Sequence, residues 1–196
     1  QTGPYKDLVG HDVNYISVGG ALGLIGSKNG TPSIPYNLIA DFAAGGMNAA
    51  YSIVCALFSR TSTGRGQKID TAMSDGVTYL LSAISGEYFN SGLIPKPGKM
   101  TLNGGVPYYN VFECRDGKYI SLGCIEPNFW KNLCSTLNLE QFASSQHNEH
   151  EYQLIMRELE ATFKTKKRDE WWDIFREAED VAAAPVYEFN EVLDDP

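Results

Sequence analysis

His11 is followed at once by an acid in the stretch Gly10-His11-Asp12-Val13-Asn14-Tyr15-Ile16. Glycine permits a sharp turn before a helix, and Asp12 is a favoured residue at or near an N-cap. Val13, Ile16, Ala21, Leu22 and Ile25 then offer a core-facing set. The imidazole is thereby expected beside a helix N-terminus, where unpaired N–H groups and the positive dipole end hold developing negative charge. A base next to an anion site is what removal of a proton α to a carbonyl requires. A histidine in a turn beside a capped helix accounts for the same residues without any chemistry.

Two further acids stand in positions of interest. Asp41 lies one turn into the apolar run Asn37-Leu38-Ile39-Ala40-Asp41-Phe42, with Asn37 four residues earlier on the same helix face. Burying a carboxylate there costs several kcal/mol unless it is hydrogen-bonded or protonated, and partial burial would push its pKa upward, towards proton transfer. A first-turn aspartate that satisfies backbone N–H groups is the structural alternative. Glu126 ends an expected strand immediately before Pro127 and a helix. It is an ordinary helix-start acid unless the fold brings it to His11, where a carboxylate would orient the ring and raise its basicity.

Other signatures are missing. Gly19-Gly20-Ala21-Leu22-Gly23 is not a dinucleotide fingerprint, and there is no phosphate loop or Gly-x-Ser-x-Gly elbow. Cys55, Cys114, Cys124 and Cys134 form no Cys-x-x-Cys pair and have no histidine at metal-ligand spacing, so they read as buried, reduced thiols and no metal site is expected. His147 and His150 fall in a polar stretch and are expected at the surface.

These residues must be positioned by a chain of 196 residues, 43% hydrophobic and 20% charged, enough for one large or two small domains. A net charge of −8 argues against nucleic acid or an anionic membrane as partner. The most apolar segment, Ile39 to Phe58, is interrupted by Asp41, Asn48 and Ser52, so no bilayer-spanning run is expected. After the first helix, Tyr36 to Ser59 reads as a helix buried on nearly every face, Lys68 to Met73 as a short strand, and Asp75 to Asn90 as a second apolar helix. Ser91 to Gly105, rich in glycine and proline, marks a boundary. Beyond it, Tyr108 to Cys114 and Lys118 to Cys124 predict a hairpin through Asp116-Gly117. Helices are expected after Pro127, over Glu149 to Lys164 and over Asp169 to Glu177, with Val181 to Val186 as an edge strand and Lys164 to Arg168 as a solvated basic helix end. The chain opens without methionine and closes as another helix begins, which reads as the middle of a longer protein.

Taken together, Gly10-His11-Asp12-x-Asn14-Tyr15, Asn37-Leu38-x-Ala40-Asp41-Phe42-x-x-Gly45-Gly46, Arg60-Thr-x-Thr-Gly64-x-Gly66-Gln67-x-x-Asp70 and Ile125-Glu126-Pro127 resemble the family III CoA-transferases over nearly the whole chain. Within that family they are most similar to the branch that racemises α-methylacyl-CoA thioesters. The resemblance implies an α/β fold: part of a Rossmann-like large domain, mainly helical here, over residues 1–90, a linker at 91–105, a small α+β domain with a hairpin at 106–190, and the start of a return to the large domain at 191–196.

It further implies 1,1-proton transfer through an enolate, with no metal or redox cofactor and with coenzyme A present as part of the substrate. His11 paired with Glu126 would serve one face and Asp41 the other. Asp12, through its backbone N–H, would hold the enolate oxygen, and Tyr15 and Asn37 would contact substrate. Family members form interlocked homodimers, and their location would be the peroxisome or mitochondrion in a eukaryote and the cytoplasm in a bacterium. The family's nucleotide-binding half, ahead of His11, is absent from these residues. Two rivals remain: a CoA-transferase using Asp41 as nucleophile, which the presence of His11 and Glu126 disfavours, and a non-catalytic dimerisation module built on the apolar helix.

Overall fold

In the computed structural model, which describes residues 2–194, the chain divides between Gly98 and Lys99 into two units, inside the stretch 91–105.

The first unit is helical, with no strand among its described residues. Helix α1 covers Asp12–Val18, and the chain after it turns through a short 3-10 turn, Leu22–Leu24. A ten-residue π-wound segment, Leu38–Met47, then runs without a break into α2, Asn48–Thr63, and α3 (Met73–Leu80) and α4 (Ser82–Ser91) follow. Sustained π winding is rare and concentrates at functional sites. Ile16, Ala21, Ala40, Ala44 and Val77 form the core where α1, the π-segment and α3 meet. The contact is close because Gly76 has no side chain: a Cβ there would stand 2.4 Å from the Ala44 carbonyl oxygen.

Three expectations fail here. Residues 65–72, including the expected strand at Lys68 to Met73, have no regular structure, since no neighbouring strand offers partners for their N–H and C=O groups. The helix expected over Asp75 to Asn90 begins at Met73 and breaks at Leu81, whose N–H bonds back to Val77 and Thr78. The 38–63 helix is not buried. The π-segment supplies most of its packing on α1 and α3, while Phe42, Met47, Tyr51, Val54 and Phe58 stand 59–76% exposed. Asp41, Asn48 and Ser52 interrupt its apolar run without breaking the helix. By length and composition alone it is therefore long and apolar enough to cross a membrane, with mean hydropathy 1.4 over its most apolar window.

The second unit is α+β. Strands β1 (Tyr109–Glu113) and β2 (Tyr119–Gly123) pair antiparallel as the predicted hairpin, and Gly117 supplies the left-handed turn residue at φ 78°. Strand β3 (Ala183–Val186) adds antiparallel to β2 as an edge, the place where Pro185 costs no ladder bond. Helices α5 (Pro127–Thr136), α6 (Tyr152–Phe163) and α7 (Arg168–Glu177) cover one sheet face, and a short α8, Phe189–Val192, follows β3. Phe112 stacks on Phe163 with centroids 5.1 Å apart, and Trp171 stacks on Phe175 at 5.9 Å. The buried indole N–H groups of Trp130 and Trp171 donate to the carbonyls of Phe142 and Phe163 at 3.0 and 2.9 Å.

Arg168 corrects the expectation of a solvated basic cluster. It is 3% exposed. Its guanidinium grips Glu191 through two bonds of 2.7 and 2.8 Å, donates to Asp169 at 2.7 Å, and reaches the Val186 carbonyl at 3.1 Å. Lys118 also donates to Glu191, at 2.5 Å. The Arg168 fork thus ties α7, β3 and α8 together, and Lys118, the residue before β2, joins them through the same carboxylate. Glu191 is thereby bonded to the second unit; residues 195 and 196, in the stretch 191–196, lie outside the described residues. The Arg168 and Lys118 bonds, with the Glu188 N–H, hold the Glu191 carboxyl well below the usual carboxylate range.

Two measurements check this packing. Gly76→Ala forces the α3 and π-segment backbones apart and should destabilise the protein by about 1–3 kcal/mol, read as a lowered melting temperature. Because the Glu191 value is lower in the folded than in the unfolded state, its contribution is full above about pH 4.5 and fades as pH falls below that. Glu191→Gln should therefore melt lower than wild type at about pH 7 and lose less on acidification below about pH 4.5.

Candidate active site

Helix α1 begins where its first residues satisfy one another. His11, not Asp12, is the N-cap: it is extended (φ −119°, ψ −177°), and its N–H donates to Asn14 Oδ1 at 3.1 Å. Its carbonyl accepts the N–H groups of Asn14 and Tyr15 at 2.9 and 3.2 Å. The backbone of His11 is pinned while its imidazole is exposed at the head of the helix.

Asp12 is therefore at the first helical position, and it turns inward. It is 4% exposed, and Oδ2 accepts the backbone N–H of Ala40 at 2.6 Å and that of Asp41 at 2.9 Å. These are first-turn N–H groups of the 38–63 helix, which have no acceptor within their own helix. Their partial positive charge compensates a carboxylate that would be costly to bury alone. Two helix heads, one beginning at His11 and one carrying Asp41, are thus held together by one carboxylate oxygen.

Asn37 is the N-cap residue of the π-segment, yet its side chain does not cap. Its Nδ2 donates to Asp41 Oδ2 at 2.9 Å, the bond that the four-residue spacing suggested. Asp41 itself is exposed, which corrects the expectation of a desolvated acid: the carboxylate projects from the outer side of the first turn, while Ala40 and Ala44 face the core. Asp12 Oδ1 and Asn37 Oδ1 are buried with no hydrogen-bond partner.

Tyr15, one turn after His11, is half-buried and lines a cavity of about 540 Å³ together with Lys6, Gly45, Gly46, Ser74 and Asp75. Glu126 belongs to the second unit. It is the exposed N-cap residue of α5, with Pro127 at the first helical position, and its carbonyl accepts the Trp130 N–H at 3.1 Å. The first unit therefore gathers His11, Asp12, Asn37 and Asp41, and Glu126 is carried by the other. The role of the Asp12 carboxylate was not legible beforehand, because a hydrogen bond across 28 residues has no local signature. Among the described residues no group of three or more His, Cys, Asp or Glu gathers as a metal site.

The family model that matches this chain is CoA-transferase family III, over residues 1–196. The chain belongs to that family. Its α/β fold is shared with a CAIB/BAIF family protein from Brucella suis, at 25% identity and a TM-score of 0.74, covering all of this chain and 52% of that one. The chain is 37% identical to the alpha-methylacyl-CoA racemase of Mus musculus over 98% of its length and 51% of the relative's. It is 36% identical to the Homo sapiens racemase over 98% and 50%. It spans about half the length of the curated relatives it matches.

The cysteines divide. Cys55, expected to be buried, is exposed on α2 because that helix leaves most of its surface uncovered, whereas Cys114, Cys124 and Cys134 are buried. Burial pushes these three thiols up, to about 11, 11 and 12. At about pH 8 iodoacetamide should leave all three unmodified in the folded protein and label them once denaturant is added, as mass spectrometry of digests would show.

Proposed function

We propose that the protein is an α-methylacyl-CoA racemase, interconverting the (R) and (S) epimers of 2-methylacyl-CoA thioesters by proton transfer through an enolate. The observation that carries this reading is the pair of bonds from Ala40 and Asp41 to Asp12, which bring the backbone of Asp41 against the residue that follows His11. The likeness to the two mammalian racemases supports it.

In this reading His11 removes the α-proton from one face, and Asp41 returns a proton to the other, with the roles exchanged in the reverse direction. The Asn37 amide holds the Asp41 carboxylate in one orientation. The Asp12 backbone N–H, one of the groups that α1 leaves without an internal acceptor, faces the charge that develops on the thioester oxygen. Tyr15 borders the substrate site. No metal or redox group is needed, since coenzyme A arrives on the substrate and an α-proton of a thioester is acidic enough for paired bases and preorganised donors. The exposed apolar side of the 38–63 helix is the surface by which two copies interlock as a homodimer.

The family also contains the chemistry of its name, in which Asp41 would be the nucleophile, so the deciding experiment follows the α-hydrogen. A single epimer of a 2-methylacyl-CoA, incubated with the full-length protein in deuterated water, should gain α-deuterium and yield the other epimer. Acyl transfer to a second acid, with a covalent adduct on Asp41, would instead establish the transferase. His11→Ala and Asp41→Asn should each lower kcat on the order of 10²- to 10⁴-fold with the fold intact by circular dichroism. Unchanged turnover in both would leave a dimerisation module as the better account.

A further inference from the structure

The Asp12 side chain is an expensive solution to a cheap problem. The 38–63 helix has a good capping residue of its own: Asn37 occupies the N-cap, and Ala40 is three residues on, where an N-cap side chain normally takes a backbone N–H. Local capping by Asn37 would satisfy that N–H without burying an acid. Instead the N–H is taken by a carboxylate 28 residues away, 4% exposed, whose second oxygen is left buried and unpartnered. Unsatisfied buried acceptors are rare in native folds and each calls for a reason.

The remote arrangement achieves two things that a local cap cannot. It frees the Asn37 amide to hold Asp41. It also ties the backbone of Asp41, through the 2.9 Å bond from its N–H, to the residue covalently next to His11. We propose that the Asp12 side chain is a positioning residue, which sets the separation and orientation of the two proton-transfer groups by clamping the first turn of the 38–63 helix to the head of α1. This rests on the racemase reading. Inversion needs His11 and Asp41 on opposite sides of one carbon, whereas exchange of the α-hydrogen on one face needs a single base. Misplacement by about 1 Å costs on the order of 100-fold in rate. The clamp therefore matters more to inversion than to exchange.

The test compares Asp12→Ala and Asp12→Asn in the full-length protein, measuring in deuterated water both α-deuterium uptake without inversion and conversion to the other epimer. Asp12→Ala should lower the ratio of inversion to exchange on the order of 10- to 100-fold. Asp12→Asn, whose carbonyl oxygen can accept both N–H groups, should restore the wild-type ratio. Hydrogen exchange gives a readout that does not depend on turnover: the Ala40 and Asp41 amides should exchange on the order of tenfold faster in Asp12→Ala and at the wild-type rate in Asp12→Asn. Inversion and exchange falling in parallel, or unchanged protection of those amides in Asp12→Ala, would overturn the proposal. If wild type neither exchanges nor inverts, the racemase reading fails, and the amide measurement still decides whether the clamp exists.

Discussion

A single carboxylate oxygen, Asp12 Oδ2, joins the two helix heads of the first unit that carry His11 and Asp41. Each helix head it joins would otherwise need its own solution. The 38–63 helix begins with N–H groups that have no internal acceptor, and α1 begins with an acid whose burial is unfavourable unless donors surround it. Each deficit answers the other. Because the bond runs between backbone N–H groups and a side chain at the first helical position, His11 and Asp41 both remain exposed, Asp41 with the Asn37 amide on its carboxylate.

Packing behind this joint is correspondingly tight. Gly76 lets α3 approach the π-segment to backbone contact at Ala44, and Ile16 and Val77 are fully buried beside it. The five-residue core is small, and most of the apolar surface of the helix lies outside it. The second unit has the opposite balance. Its aromatic core is large, and its polar closure is one buried arginine on α7 that joins β3 and α8 through the Val186 carbonyl and Glu191. A buried guanidinium is tolerated there because its donors are met in the planar, forked geometry that a carboxylate matches.

The exposed flank of the 38–63 helix connects stability to function. A helix with Phe42, Tyr51, Val54 and Phe58 open to solvent carries more apolar surface than a lone unit keeps in water at no cost, and its first turn is the turn that carries Asp41. The exposed apolar surface is thus continuous with the turn that carries Asp41.

What the amino-acid sequence determined by itself was local. The Asp116-Gly117 turn and its alternating flanks specified the hairpin, apolar spacing specified α6 and α7, and the four-residue interval from Asn37 to Asp41 specified their hydrogen bond, since each depends only on near neighbours along the chain. The order of motifs likewise marked the family. Tertiary structure decided the rest. It turned Asp12 from a presumed cap into a buried clamp, left Asp41 exposed, drew Arg168 inward, and denied residues 68–73 a strand partner. Burial and long-range hydrogen bonding depend on which distant residues arrive at the same place, and no interval along the chain encodes that.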